Sequence, residues 1–151
     1  MAIHTTGGEL VHDIEFEALG TVGGGVGRWS SDELFVTFQT FHVPSTIYCC
    51  DLKTGDLEVW ASAATPVDPA AYEIEQVWYG SADDTQVPMF VVTPTGFVRD
   101  GSAPTLLTGY GGFNNAMTPV FSPLATTWLE SGGIFVAANL RGGGKFGEAW
   151  H

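Results

Sequence analysis

Residues 104–139 read PTLLTGYGGFNNAMTPVFSPLATTWLESGGIFVAAN, and their order decides the fold. Two short apolar runs, 104–108 (PTLLT) and 134–139 (IFVAAN), have the unbroken apolar character of strands buried in a parallel sheet. Between them, residues 122–131 (SPLATTWLES) predict a helix. Ser122 is placed to cap it, Pro123 takes the first helical position where no N–H is needed, and Gly132-Gly133 stop it. Parallel strands need a crossover of this kind, so strand, loop, helix and strand form a βαβ unit and the half that holds them is α/β.

Working outward, residues 72–79 (YEIEQVWY) alternate apolar and polar, residues 81–84 (SADD) read as a turn, and residues 86–93 (QVPMFVVT) make a second strand. These two pair as a hairpin. Before them lies a small, proline-containing, aperiodic stretch, 61–71 (ASAATPVDPAA), with the composition of a linker. Upstream of the linker the pattern changes. Residues 33–41 (ELFVTFQTF) alternate, with Leu34, Val36 and Phe38 on one face and Phe35, Thr37 and Gln39 on the other. After a turn at His42-Val43-Pro44-Ser45, residues 46–52 (TIYCCDL) and 56–60 give two more strands. Three short strands about ten residues apart form a meander, the pattern of a sandwich or of one propeller blade. The glycine run 23–27 (GGGVG) reads as a flexible connection between strands.

The chain has 151 residues, room for one domain or two small halves, and 44% of them are hydrophobic against 15% charged, which excludes a disordered polymer. The formal charge is −12, shared as ten acids and two bases over residues 1–70 and seven and three over residues 71–151. A duplex-binding surface needs clustered cations, so nucleic acid is excluded as a partner, and the same charge repels an anionic membrane. No stretch reaches the roughly 18 apolar residues of a spanning helix, and the first eight residues lack a signal-peptide pattern. Cys49 and Cys50 are neighbours that a strand would point to opposite faces, so no bridge between them is expected. A reducing, cytoplasmic location is the simplest expectation.

Two glycine clusters follow the two apolar strands. In 108–115 (TGYGGFNN), glycines around one tyrosine let the backbone turn sharply and offer a hydroxyl to a cleft; a tight turn around a core aromatic is the plainer alternative. In 141–147 (RGGGKFG), Gly142, Gly144 and Gly147 satisfy G-x-G-x-x-G, but neither the helix nor the downstream acid of a dinucleotide site follows them. The four histidines are scattered with no metal-ligand spacing, so no metal and no cofactor is expected. No serine sits in G-x-S-x-G, and neither cysteine has a basic neighbour to activate it. Asp83-Asp84 and Glu73/Glu75 read as solvated charge.

Several of these segments together resemble the prolyl oligopeptidase family. Residues 79–90 (YGSADDTQVPMF) are similar to the entry of its peptidase domain. Residues 107–114 (LTGYGGFN) with Thr118-Pro119 resemble its loop after an early sheet strand. Residues 138–144 (ANLRGGG) and 147–151 (GEAWH) resemble its next strand and loop. Upstream, residues 38–41, Pro44, Ile47-Tyr48, Cys50-Asp51-Leu52 and Thr54-Gly55 resemble its last propeller strands. The resemblance runs from about residue 13 to residue 151 in unbroken order.

That family is a serine peptidase whose α/β-hydrolase domain is capped by a seven-bladed β-propeller, and it cleaves short peptides after proline. The resemblance therefore implies a mixed fold: a β-meander ending the propeller over residues 1–70, then the first part of an α/β-hydrolase domain over residues 71–151. It implies that Tyr110 supplies one half of the oxyanion hole and that Phe113 lines the pocket for the substrate proline. Arg141 carries only a structural expectation. In an α/β-hydrolase the oxyanion loop precedes the nucleophilic Ser, the acid and the His. The triad is thus expected outside residues 1–151, His151 matches a histidine that is not catalytic, and the chain alone is expected to be inactive. The expected partners are short proline-containing peptides and the remainder of the same enzyme. A related branch cleaves after basic residues, but Gly111-Gly112-Phe113 resembles the proline-specific one more closely. The alternative from another class is a non-catalytic, β-rich binding module.

Overall fold

The computed structural model describes residues 1–65 and 67–150. Pro66, inside the expected linker, and His151, the last residue of the resemblance, lie outside the described residues. A short hairpin of β1 (Ala2–His4) and β2 (Leu10–Asp13) comes first. A four-stranded antiparallel sheet follows, made of β3 (Thr21–Gly27), β4 (Glu33–Gln39), β5 (Thr46–Asp51) and β6 (Leu57–Ser62) in chain order. The meander thus has one strand more than the alternation shows. The glycine run is not a connection but the body of β3, which pairs with β4 and breaks register between Gly23 and Val26. A strand so poor in side chains is held by its ladder, not by its faces, and the bulge takes up the extra residues.

Adjacent side chains of this sheet point to opposite faces. Phe38 and Tyr48 share one face, where Phe16 stacks on Phe38 at 4.4 Å and meets Tyr48 edge-on at 5.6 Å. Phe35 and Trp60 meet edge-on at 5.6 Å on the other face. Cys50 is fully buried and its neighbour Cys49 is not, and both thiols are free. Burial and the surrounding carboxylates push both thiols up, so neither is an activated nucleophile.

The second sheet has the order β7-β8-β10-β9, from β7 (Tyr72–Gly80), β8 (Gln86–Pro94), β9 (Thr105–Tyr110) and β10 (Ile134–Asn139). β7 and β8 form the expected hairpin, β10 lies antiparallel to β8, and β9 runs parallel to β10. The crossover between β9 and β10 is helix α1 (Pro123–Glu130); Ser122 caps it, its hydroxyl accepting from Ala125 N–H at 3.2 Å. Among the described residues β9 is the outermost strand of this sheet, with Leu107 66% exposed. One expectation changes here. Gly109 and Tyr110 belong to the strand, and the chain turns only after Tyr110.

The residues between the sheets are more structured than a linker: Ala61 and Ser62 complete β6, and Pro69–Ala71 form a single 3-10 turn capped by Asp68. Phe41, two residues past β4, leaves its own sheet and enters the core of the other. It packs between Phe90 (5.8 Å between ring centres) and Phe135 (5.3 Å), beside Val92, Ala125, Leu129 and Ala137. The segment around it also holds the helix start, with Ser122 N–H donating to Phe41 O at 3.0 Å and Phe121 N–H donating to Gln39 Oε1 at 3.2 Å. The buried His42 ring donates through Nε2–H to Pro69 O at 3.2 Å, leaving Nδ1 to face the Thr40 hydroxyl at 3.4 Å. A carbonyl can only accept, so Nε2 carries a proton, and burial lowers the ring's affinity for a second one on Nδ1.

Candidate functional site

Ligands of open α/β sheets gather beyond the carboxyl ends of the parallel strands. Here both glycine-rich loops leave that end side by side, because the parallel register sets Gly109 opposite Ala138 and Tyr110 opposite Asn139. Leu140 N–H extends the ladder by donating to Tyr110 O at 3.0 Å. Beyond this point the loops interlock through their missing side chains. A Cβ on Gly111 would collide with Arg141 O and Leu140 Cβ. A Cβ on Gly142 would meet Gly111 O at 2.7 Å, and Gly142 also has a left-handed φ of 94°. Asn114 N–H then donates to Gly142 O at 3.3 Å, and Gly142 N–H donates to Trp150 O at 2.8 Å. Gly142, Gly143 and Gly144 therefore serve loop-to-loop packing, since a Cβ on either of the latter two would run into Asn115 O or Asn114 O, whereas Gly147 has open space around it and a φ of 74°. A single 3-10 turn at Glu148–Trp150 follows Gly147.

Tyr110 ends β9 and is 42% exposed, and among the described residues its hydroxyl has no hydrogen-bond partner. Phe113 is 88% exposed at the tip of the same loop, with φ 51°, and Asn114 follows with φ 57°. Left-handed backbone is uncommon outside glycine, and a bulky Phe without its own polar contact is an unusual occupant. The loop places a free phenol and an apolar ring three residues apart on the outside of the sheet end. Such a pair can donate a hydrogen bond to a developing oxyanion and offer a flat apolar wall to a neighbouring group.

Arg141 ties this loop pair to the turn between β7 and β8. Its guanidinium donates to Asp83 Oδ2 at 2.5 Å and to Ser81 Oγ at 3.4 Å. Asp83 also accepts from Thr85 N–H at 3.3 Å. The guanidinium first, and Thr85 second, lower the Asp83 carboxyl to about 2. Read as solvated charge in the sequence, Asp83 proves to be the partner that fixes Arg141. On the same side of the sheet end Phe146 stacks on Trp78 at 5.6 Å and meets Trp150 edge-on at 5.0 Å.

The buried polar side chain of Asn139 beside this loop is not singled out by the sequence patterns. The signal available was a single polar side chain closing an apolar strand, at the same parity as the buried Phe135 and Ala137. Among the described residues no three His, Cys, Asp or Glu side chains gather to hold a metal ion, and no helix is long and apolar enough to cross a membrane.

A family model for the N-terminal β-propeller domain of prolyl oligopeptidase matches residues 1–63. A prolyl endopeptidase of Elizabethkingia miricola is 40% identical over 144 residues, covering 95% of this chain and 20% of that protein. Its counterpart in Elizabethkingia meningoseptica is 38% identical over 144 residues, with 95% and 20% covered. Among solved structures, a prolyl endopeptidase superposes with a TM-score of 0.84 at 43% identity, over 97% of this chain and 22% of that one. Prolyl oligopeptidase B from Galerina marginata, bound to a 35mer substrate, superposes with a TM-score of 0.85 at 33% identity, over 99% and 22%. The chain thus spans about a fifth of the length of the curated relatives it matches.

Proposed function

From a chain that belongs to the prolyl oligopeptidase family, we propose a part of a serine-type endopeptidase that cleaves short peptides after proline. Residues 1–70 supply the closing strands of its propeller, and residues 71–151 begin its α/β-hydrolase domain. The observation that carries the reading is the Tyr110 hydroxyl, without a hydrogen-bond partner among the described residues and held at the carboxyl end of parallel strands by two interlocked loops. Tyr110 is one donor of the oxyanion hole. As the nucleophile adds to the scissile carbonyl, negative charge moves onto its oxygen, and a phenol already in place stabilises that charge without having to reorganise. Phe113 gives the apolar wall against which the proline ring before the scissile bond rests. The Ser, Asp and His of the triad come from sequence outside residues 1–151, so this chain contributes half of a site.

The test is Tyr110→Phe in the complete peptidase, assayed on a fluorogenic proline amide. Loss of one oxyanion donor lowers kcat by about 10²–10³-fold with KM little changed. An unchanged kcat would remove Tyr110 from the site. The same enzyme hydrolyses a proline amide faster than an arginine amide; the reverse order would assign it to the branch that cleaves after basic residues.

A further inference from the structure

We propose that Asn139 is a positioning residue that sets the place of Phe113, and through it the preference for proline; this rests on the reading of Phe113 as the proline wall. Asn139 is the last residue of β10 and only 2% exposed, in a strand whose other residues are all apolar. A buried carboxamide is tolerated only when its polar atoms are paired. Both pairs go to one residue. Asn139 Oδ1 accepts from Met117 N–H at 2.7 Å, and Asn139 Nδ2 donates to Met117 O at 3.0 Å. The side chain thus stands in for a neighbouring strand, supplying one acceptor and one donor to a single backbone residue.

Its position gives that clamp a purpose. Asn139 lies opposite Tyr110 in the parallel ladder, so the loop between Tyr110 and Met117 is fastened at both ends to one place on β10. Phe113 and Asn114 sit inside the closed loop with left-handed backbones. The ring of Phe113 is almost wholly in solvent, so its own packing does not hold that conformation. The holding falls to the ends of the loop and to two interior bonds, Asn114 N–H to Gly142 O at 3.3 Å and Asn115 N–H to Gly112 O at 3.0 Å. With the Met117 end released, residues 113 and 114 can relax to ordinary backbone and carry the ring away from its place.

The experiment compares kcat/KM in the complete peptidase for two fluorogenic peptides that differ only in Pro or Ala before the cleaved bond. Asn139→Ala should narrow the Pro-to-Ala ratio by about tenfold or more, within the range that one hydrophobic pocket contact supplies. Adding Asn139→Ala to Phe113→Ala should narrow it no further than Phe113→Ala alone, because both act through the same ring. Equal losses on both substrates, leaving the ratio unchanged, would overturn the proposal, as would independent effects in the double variant. A ratio unmoved by Phe113→Ala itself would instead overturn the pocket reading beneath it. Asn139→Asp keeps the acceptor for Met117 N–H and loses the donor to Met117 O, and it takes the place of the alanine variant if that one does not fold. Collapse of both variants would make Asn139 a core residue and overturn the assignment.

Discussion

The two four-stranded sheets are joined by opposite connectivities. In β3-β4-β5-β6 every strand pairs with its neighbour in the chain, whereas in β7-β8-β10-β9 the helical crossover inserts β10 between β8 and β9. The meander sends successive loops to alternate ends. The crossover returns the chain to the same end, so the two loops after β9 and β10 emerge together. Both sheets contain glycine-rich segments, and the difference in connectivity decides what those glycines do. In β3 a Cβ on Gly24 would meet nothing and one on Gly25 would make only ordinary contact with Leu34 Cδ1 at 3.8 Å, although one on Gly27 would come within 2.9 Å of Glu33 O. At Gly111 and Gly142 it would run into the backbone of the other loop. Glycine content alone therefore says little; it becomes a requirement where another backbone comes close, as the paired loops do at Gly111 and Gly142.

The largest expected effect tests whether the two sheets share one core. Phe41→Ala removes the ring that the first sheet lends to the second and should destabilise the protein by about 3–5 kcal/mol in urea unfolding. A loss below about 1 kcal/mol would mean that the sheets are held together by something other than this ring. Gly111→Ala comes next. Overpacking against a backbone carbonyl should cost about 1–3 kcal/mol, read in the same way, and a neutral result would show that the loops can part without penalty.

A smaller effect concerns the joint itself. Burial lowers the pKa of His42 in the folded protein from its ordinary value of 6.5. The unfolded chain therefore binds more protons, so stability is full above about pH 6.5 and falls as the pH drops below that value. The charged and titratable groups near the ring are few: Tyr72 packs against it at 5.5 Å, and the Tyr72 hydroxyl donates to Glu130 at 2.9 Å. Replacing the ring in His42→Gln should flatten the urea midpoint between pH 7 and pH 5, and an unchanged slope would clear His42 of that role. The smallest effect is Gly25→Ala in β3, expected to lie within about 0.5 kcal/mol of neutral. A cost as large as that of Gly111→Ala would erase the contrast between the two glycine regions.

Much of this architecture was legible because its signals are local. Alternation marks β4 and β7, turn residues set off β5 and β8, and the Ser122-Pro123 start with the Gly132-Gly133 stop marks α1. β3 was hidden because four of its seven residues are glycine, which leaves no side-chain pattern to read. β1 and β2 are short and largely exposed, and so carry no alternation either. Tyr110 and Phe113 were singled out as candidates through a contiguous motif. The supports beneath them were not, because Arg141 meets Asp83 across 58 residues and Asn139 meets Met117 across 22. Pairings of that range depend on the crossover and leave no periodic trace in the sequence.

The interlocking of Gly111 with Arg141 and Gly142 also limits how this part of the molecule can vary. A side chain admitted at residue 111 displaces the Arg141 carbonyl, and the guanidinium that grips Asp83 hangs from that same residue. A side chain at residue 142 pushes back on Gly111 in turn. Neither loop can be widened by one substitution without disturbing the other, so a change of shape at this sheet end requires coordinated replacements some thirty residues apart. Two segments distant in the chain therefore behave as a single unit of inheritance.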